Sequence, residues 1–360
     1  MTVARNDDQS AQSPRANTGG LAYPELRVRR ERSSSRRTWL QAATVAGLLG
    51  PSALRAAQPA PRKARIAITL DLEMSREYPR RDILEWDYEK GNLDEATKRY
   101  AVEAARVAKD RGGLIHFFCV GRVLEQPDVA WLKEIAAAGH PIGNHTYDHV
   151  YVLAQSVEEV QFRFRRAPWL VAGQTVPQII RQNIAMTTAA LDQRCGIRAN
   201  GFRTPGGFAD GIAGRADLQR LLLELGFRWC SSKYPPPQMG SPRTQPTDAI
   251  LDGIVRTQAA AQPFVYPSGL LEIPMSPVSD VNAFRSNYWK LPWFLTAIER
   301  AVKWAIQESA VFDFLAHPSC LVVEDPSFES IKLICDLVRD AGERAELCGL
   351  DGIAAAYGAT

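Results

Sequence analysis

From residue 64 onward, short apolar runs rich in β-branched and aromatic residues alternate with longer amphipathic stretches, many of which close on a glycine. That alternation constrains the fold more than any other feature, because parallel strands need a crossover, usually a helix, between each pair. Seven runs read as strands: 65–71 (RIAITLD), 114–120 (LIHFFCV), 140–144 (HPIGN), 199–203 (ANGFR), 227–231 (FRWCS), 270–275 (LLEIPM) and 311–316 (VFDFLA). Between them, 93–113 carries apolar residues at helical spacing and ends on Gly112 and Gly113, and similar runs stop before Gly139, Gly196 and Gly226. A glycine just past the last turn is a helix C-cap. Further helices are expected over 293–308 and 327–345. The segments 74–93 and 233–262 break the rhythm and read as loops or insertions over one end of a barrel. Beyond the β/α alternation there is no internal repeat of fixed period.

With 360 residues, 46% of them hydrophobic, the chain can build one large core or two ordinary ones. Its net charge of +3 belongs to its first part. Residues 1–65 hold 12 basic and 4 acidic residues, leaving 31 basic against 36 acidic in the remainder. The body is therefore acidic, which argues against a nucleic-acid surface. In SSSRRTWLQAATVAGLLGPSAL, Arg36 and Arg37 precede an apolar run from Trp39 to Leu54. This leader, residues 1–60, reads as an export signal of twin-arginine type, a pathway that carries folded proteins to the periplasm or cell envelope. Its apolar run, broken by Gly50 and Pro51, is shorter than the roughly twenty residues of a membrane span. No membrane span is expected unless the signal stays uncleaved.

Six cysteines, at 119, 195, 230, 320, 335 and 348, show neither CxxC nor zinc-ribbon spacing, so thiolates do not form a metal site by pattern. Cys119 and Cys320 read as buried free thiols. The other polar outliers fall at strand ends, where the loops of a parallel barrel converge on one mouth. Asp71 and Glu73 end the first strand, His145 and His149 follow the third, Arg203 ends the fourth, Ser231 and Ser232 the fifth, and His317 the seventh.

In GNHTYDH, His145 and His149 stand four positions apart; on a helix or a tight helix-like loop both imidazoles project from one side, as two ligands of one metal must. In ITLDLE, strand alternation places Thr69, Asp71 and Glu73 on one face and Leu70 and Leu72 on the other. Two carboxylates on one side of a strand end repel unless a cation lies between them. Glu73, His145 and His149 then form a metal shell of two nitrogens and one oxygen, with positions open for water and substrate. A divalent ion lowers the pKa of its water to about 7, Asp71 can take the proton as general base, and His317 can protonate a leaving amine. Arg203 would keep Asp71 ionised and oriented. The set suits amide cleavage.

Taken together, TLDLE, HTYDH, FRTPGG, GFRWCSSKYP with LLEIPMSP, and LAHP resemble in order the motifs of the polysaccharide deacetylase family, the fourth carbohydrate esterase family with its NodB homology domain. The resemblance covers about residues 64–350 and implies a distorted (β/α)7 barrel in a catalytic domain over 61–360. It implies metal-dependent removal of N-acetyl, or sometimes O-acetyl, groups from a polysaccharide or cell-envelope glycan, with zinc as the metal and cobalt as an alternative. By the same resemblance Asp71 is the base, Glu73, His145 and His149 the metal triad, Arg203 the residue orienting the base and His317 the acid. Two departures stand out. The family's usual pair of adjacent aspartates is here split by Leu72 and the second acid is Glu73, and the aspartate often found before the two serines is Cys230, so the tuning of His317 is either weaker or comes from elsewhere, with Asp313 one candidate.

Two rival readings are an amidohydrolase of small cyclic amides or ureides, similar to allantoinases, and a non-catalytic glycan-binding protein. Retention of both histidines and an acid argues against a metal-free version of the first, the export signal favours an envelope substrate over a nucleotide-derived metabolite, and the presence of Asp71 and His317 argues against the second. His116 and His140 read as core or structural histidines, and Trp86, Tyr88 and Trp229 as packing residues or as platforms for sugar rings.

Overall fold

A computed structural model describes residues 63–79 and 90–359; the proposed export leader, Trp86 and Tyr88 lie outside the described residues. Strand β1 (Ala64–Leu72) is buried at every position but Arg65. Ile66, Ile68, Leu70 and Leu72 pack into the largest apolar cluster, while Thr69 and Asp71 turn to the opposite side with Glu73, one residue past the strand. The period of two read from the sequence thus survives into Glu73.

On one side β1 pairs in parallel with β2 (His116–Cys119), which is followed by β3 (Ile142–Asn144), β4 (Phe202–Phe208) and β5 (Trp229–Lys233). Beyond β5 lie β6 (Phe264–Val265) and β7 (Leu271–Glu272); on the other side of β1 are β8 (Val311–Ala316) and, at its start, β9 (Ala345–Leu347). The spatial order is β6-β7-β5-β4-β3-β2-β1-β8, and the pairing of β6 with β7 is antiparallel. After β7, the Ser276 amide donates to the Asp313 carbonyl at 2.9 Å and Ser279 bridges to Leu315. The chain thereby leans the open end of the curled sheet against β8. The result is a mixed, curled half-barrel with helices outside it, the NodB type expected.

All seven expected strands are present, and β6 and β9 are additions too short to show a pattern. The crossovers are α1 (Glu95–Asp110), α2 (Ala130–Ala137), α3 (Val176–Cys195) and α4 (Ala216–Glu224). Asp94 caps α1 by accepting the Thr97 amide at 2.7 Å, with Glu95 favourably placed in the first turn. The expected glycine stops hold: Gly112, Gly139, Gly196 and Gly226 all have positive φ.

One expectation needs correction. The segment 233–262 contains α5 (Asp248–Gln258), capped by Thr247 and packed against α6 (Leu291–Gln307). Its prolines all precede Thr247 and set it off, rather than breaking it. Toward the C-terminus follow α7 (Pro318–Glu324), α8 (Glu329–Ala341) and α9 (Leu350–Ala356). No described helix is long and apolar enough to cross a membrane.

The expected strand at 199–203 begins later, at Phe202, because Gly201 turns there with φ +71°. A Cβ at Gly201 would lie 2.0 Å from the Trp229 ring, which is itself wedged edge-on against His116 and Phe118. Trp229 is therefore a packing residue. Gly201→Ala combines a left-handed backbone penalty with overpacking, so chemical denaturation is expected to show a loss of roughly 2–4 kcal/mol.

Candidate active site

The floor of the site is a guanidinium. Arg203, on β4, is fully buried and its ring-like plane lies over Phe118 at 4.4 Å. Its Nη1 donates to Asp71 Oδ1 at 3.1 Å and Thr69 Oγ1 at 2.7 Å, its Nη2 to Asp313 Oδ2 at 2.5 Å, and Nε and Nη2 reach Ser231 Oγ. One oxygen of Asp71 is thus fixed, while Oδ2 faces His145 Nε2 at 3.7 Å. Ser232 points elsewhere: its hydroxyl and amide bind the buried Glu272, which also accepts from Tyr266 and Cys230. Of the two serines ending β5, only Ser231 belongs to the site.

The histidine loop is not helical. It leaves β3 and doubles back through left-handed backbone at Thr146 (φ 59°) and His149 (φ 55°), a conformation that disfavours side-chained residues by about 1–2 kcal/mol each. Asn144 Oδ1 accepts the Thr146 amide at 2.9 Å, Thr146 Oγ1 the Val150 amide at 3.0 Å, and Asn183 Oδ1 the Asp148 amide at 2.8 Å. These bonds hold the strained loop so that both imidazoles face Glu73.

Ligand atoms of Glu73, His145 and His149 all lie within 4.8 Å of one another. His145 Nδ1 sits 3.0 Å from the Arg203 carbonyl; a carbonyl only accepts, so the proton is on Nδ1 and the lone pair of Nε2 turns to the site. Glu73 Oε2 lies 3.5 Å from His145 Nε2 and 2.7 Å from His149 Nε2, yet it is buried without a hydrogen bond of good geometry. Burial lowers His149 to about 4, so its imidazole is neutral at pH 7. Burial works to raise the Glu73 pKa, but His149 and Lys90 hold it well below the usual carboxylate range. Three lone-pair donors thus converge on one buried point, and ligands at about 2.0–2.2 Å in tetrahedral directions would stand about 3.4 Å apart. The donor set fits a divalent ion of zinc or cobalt type.

Lys90, which sequence reasoning passed over, donates to the other oxygen of Glu73, Oε1. His317 Nε2 approaches the same oxygen at 3.4 Å. Behind His317, Asp280 accepts from the backbone amide at 3.0 Å and from Nδ1 at 3.1 Å. Burial opposes the charge on His317, but Asp280 and Glu73 overcome it and raise His317 to about 9. Asp313 does not tune His317, as the sequence suggested; it is committed to Arg203 and to Thr69. His317 follows Asp313 by four positions, about 13 Å of extended chain, which places them at different heights in the barrel. The signal for Asp280 was weak, since nothing in its own stretch is periodic.

These groups line one cavity of ≈ 210 Å³, with Asp71, Glu73, Lys90, His145, His149 and His317 around it and Tyr234, Met275, Val281, Arg285 and Leu315 along its wall. His116 and His140 lie apart from it, buried, His116 stacked on Phe118 and His140 Nδ1 accepting the Ile115 amide. All six cysteines are free.

Residues 89–226 match the family model described as polysaccharide deacetylase; this stretch holds the histidine loop and Arg203, while Asp71, Glu73 and His317 lie outside it. A search of curated proteins finds no match. Among solved structures, a Mycobacterium smegmatis protein assigned to the polysaccharide deacetylases aligns over 84% of this chain and 94% of its own, with TM-score 0.55 and 15% identity. A Pseudomonas aeruginosa protein with the same assignment aligns over 81% and 90%, with TM-score 0.55 and 14% identity. At such identity the likeness is one of fold.

The Asp280–His317 pair carries a pH signature. Because His317 is raised above its unfolded value near 6.5, its contribution to stability is fully present below pH 6.5 and is lost as pH rises through about 9. Asp280→Asn removes the larger part of it, Glu73 supplying the rest. Denaturation series are therefore expected to show native protein exceeding the variant by roughly 2 kcal/mol at pH 6, with the gap closing toward pH 9 to 10.

Proposed function

We propose that this protein removes N-acetyl groups from a polysaccharide or cell-envelope glycan, because residues 89–226 match the polysaccharide deacetylase family model and the described body has the fold of proteins so assigned. The observation that carries the reading is Glu73 Oε2, buried between two imidazoles and without a hydrogen bond of good geometry. A polar atom so placed is costly unless something binds it, and a divalent cation is what its neighbours suit. Glu73, His145 and His149 would hold that ion, which when bound supplies a Lewis acid for an acyl carbonyl and acidifies water.

The protein's own residues do the rest. Asp71, with Oδ1 pinned by Arg203, presents Oδ2 as the base that takes a proton from the attacking water. His317 keeps its Nδ1 proton on Asp280 and offers the Nε2 proton to the leaving nitrogen. Met275, Val281 and Leu315 give the cavity an apolar side for an acyl methyl and exclude water from it. A second hollow of ≈ 490 Å³ shares His149 and Gly206 with the first and continues past Tyr151, Phe162 and Arg165. Such a continuation supports a chain-like substrate over a small cyclic amide.

The leader makes export part of the proposal. If the twin-arginine pair directs it, Arg36→Lys with Arg37→Lys is expected to shift the protein from the envelope fraction to the cytoplasm, read by cell fractionation.

The chemistry is tested by acetate release from N-acetylglucosamine oligomers. Release is expected to stop with chelator and to return with zinc or cobalt. His145→Ala should lose stoichiometric metal, and an unchanged metal content would remove it from the ligand set. Asp71→Asn should keep the metal and lose about 10²–10⁴ in kcat; near-normal turnover would refute the base.

A further inference from the structure

Each acid of the site is paired with a cation. Asp71 and Asp313 share Arg203, Glu73 has Lys90, and Asp280 has His317. Arg285 is the exception. It lines the same ≈ 210 Å³ cavity as Lys90 and His317, and its Nη1 donates to Ser75 Oγ at 3.1 Å. No carboxylate among the described residues forms an ion pair with it.

The guanidinium is anchored without being neutralised. Ser75 is fully buried and held in turn, its amide donating to Ser319 Oγ at 2.8 Å, while that hydroxyl donates to the Glu73 carbonyl at 3.1 Å. The side chain of Arg285 is thus registered to the backbone of Glu73 itself. It is carried on a π-helical turn, Val281–Ser286, directly after Asp280. Turns of this kind interrupt regular geometry and often mark functional positions. Here the turn carries the unneutralised cation and is directly preceded by Asp280, the partner of His317.

Resting on the deacetylase reading, we propose that Arg285 anchors a carboxylate on the substrate, so that the preferred substrate is an acidic N-acetylated sugar. Guanidinium and carboxylate match in a planar, two-pronged geometry that a neutral hydroxyl cannot use. A half-enclosed cavity strengthens the pairing relative to water. The carboxylate has two chemical sources, a uronic acid at C6 or a lactyl ether at C3, and the substrates below separate them.

The experiment compares acetate release by the purified protein from N-acetylglucosamine, N-acetylglucosaminuronic acid and N-acetylmuramic acid, for the native chain, Arg285→Gln and Arg285→Lys. At least one acidic sugar is expected to exceed the neutral one by tenfold or more in kcat/KM. Arg285→Gln should collapse that ratio to near one, chiefly through KM, and Arg285→Lys should retain part of it. Which acidic sugar shows the preference identifies the source. Equal native rates on all three sugars, or a fall in Arg285→Gln that is the same for acidic and neutral sugars, would overturn the proposal.

Binding of the same sugars to Asp71→Asn protein, read by calorimetry, separates this inference from the reaction. If no acetate is released, the deacetylase reading fails. The anchor still stands if acidic sugars bind tenfold tighter and lose that margin when Arg285→Gln is added; it falls if they bind no tighter than the neutral sugar.

Discussion

A single buried guanidinium sets the geometry on which the site depends. Arg203 reaches from β4 to Thr69 and Asp71 on β1, Ser231 on β5 and Asp313 on β8, so four strands meet through one side chain. Its carbonyl also receives His145 Nδ1. A charge with no solvent exposure is tolerated only when its partners are complete, and removing one partner of such a pair typically costs about 3–5 kcal/mol. This requirement fixes register as well as chemistry, because a one-residue slip of β1 would turn Thr69 and Asp71 away from Arg203 and drive Leu70 into the barrel.

Glu73 shows how the site divides one carboxylate between two tasks. Oε2 faces the imidazoles, and Oε1 faces Lys90 and His317. The ammonium holds the carboxylate ionised and turned without entering the space between the histidines and Oε2. Leu72, the residue that splits the acidic pair, is wholly buried in the core. Spacing the acids by two keeps both on the barrel side, and the longer glutamate spans the added distance.

How much of this was legible follows from where each residue sits. Asp71 and Glu73 could be read because strand alternation is a strict rule, and His317 because it ends a run that buries on both faces; Arg203 was read as ending a strand, whereas it stands second in β4. His145 and His149 were read from spacing, which allowed a helix or a tight helix-like loop; the chain uses a loop and no helix. Two left-handed residues bring the rings together, and nothing in Thr146 or His149 as residue types announces that. Asp280 and Lys90 were missed because both come from irregular segments whose sequence carries no period. Asp313 was misread in the opposite way: an acid on the right strand, but about 13 Å of strand away from the histidine it was asked to serve.

The division between regular and irregular elements has a physical consequence for how such a site can vary. The strands supply the groups whose positions must not move: Asp71, Arg203 and, at the strand ends, Glu73 and His317. The irregular segments supply the groups that set charge: Lys90 beside Glu73, Asp280 behind His317, and Arg285 on the cavity wall. Loops tolerate substitution and insertion far better than a packed parallel sheet does. A change at Arg285 alters what the cavity attracts without disturbing a strand register, whereas a change at Arg203 leaves two acids buried and unpaired. Substrate choice in this chain therefore sits on the elements that can change most cheaply, above a floor that cannot.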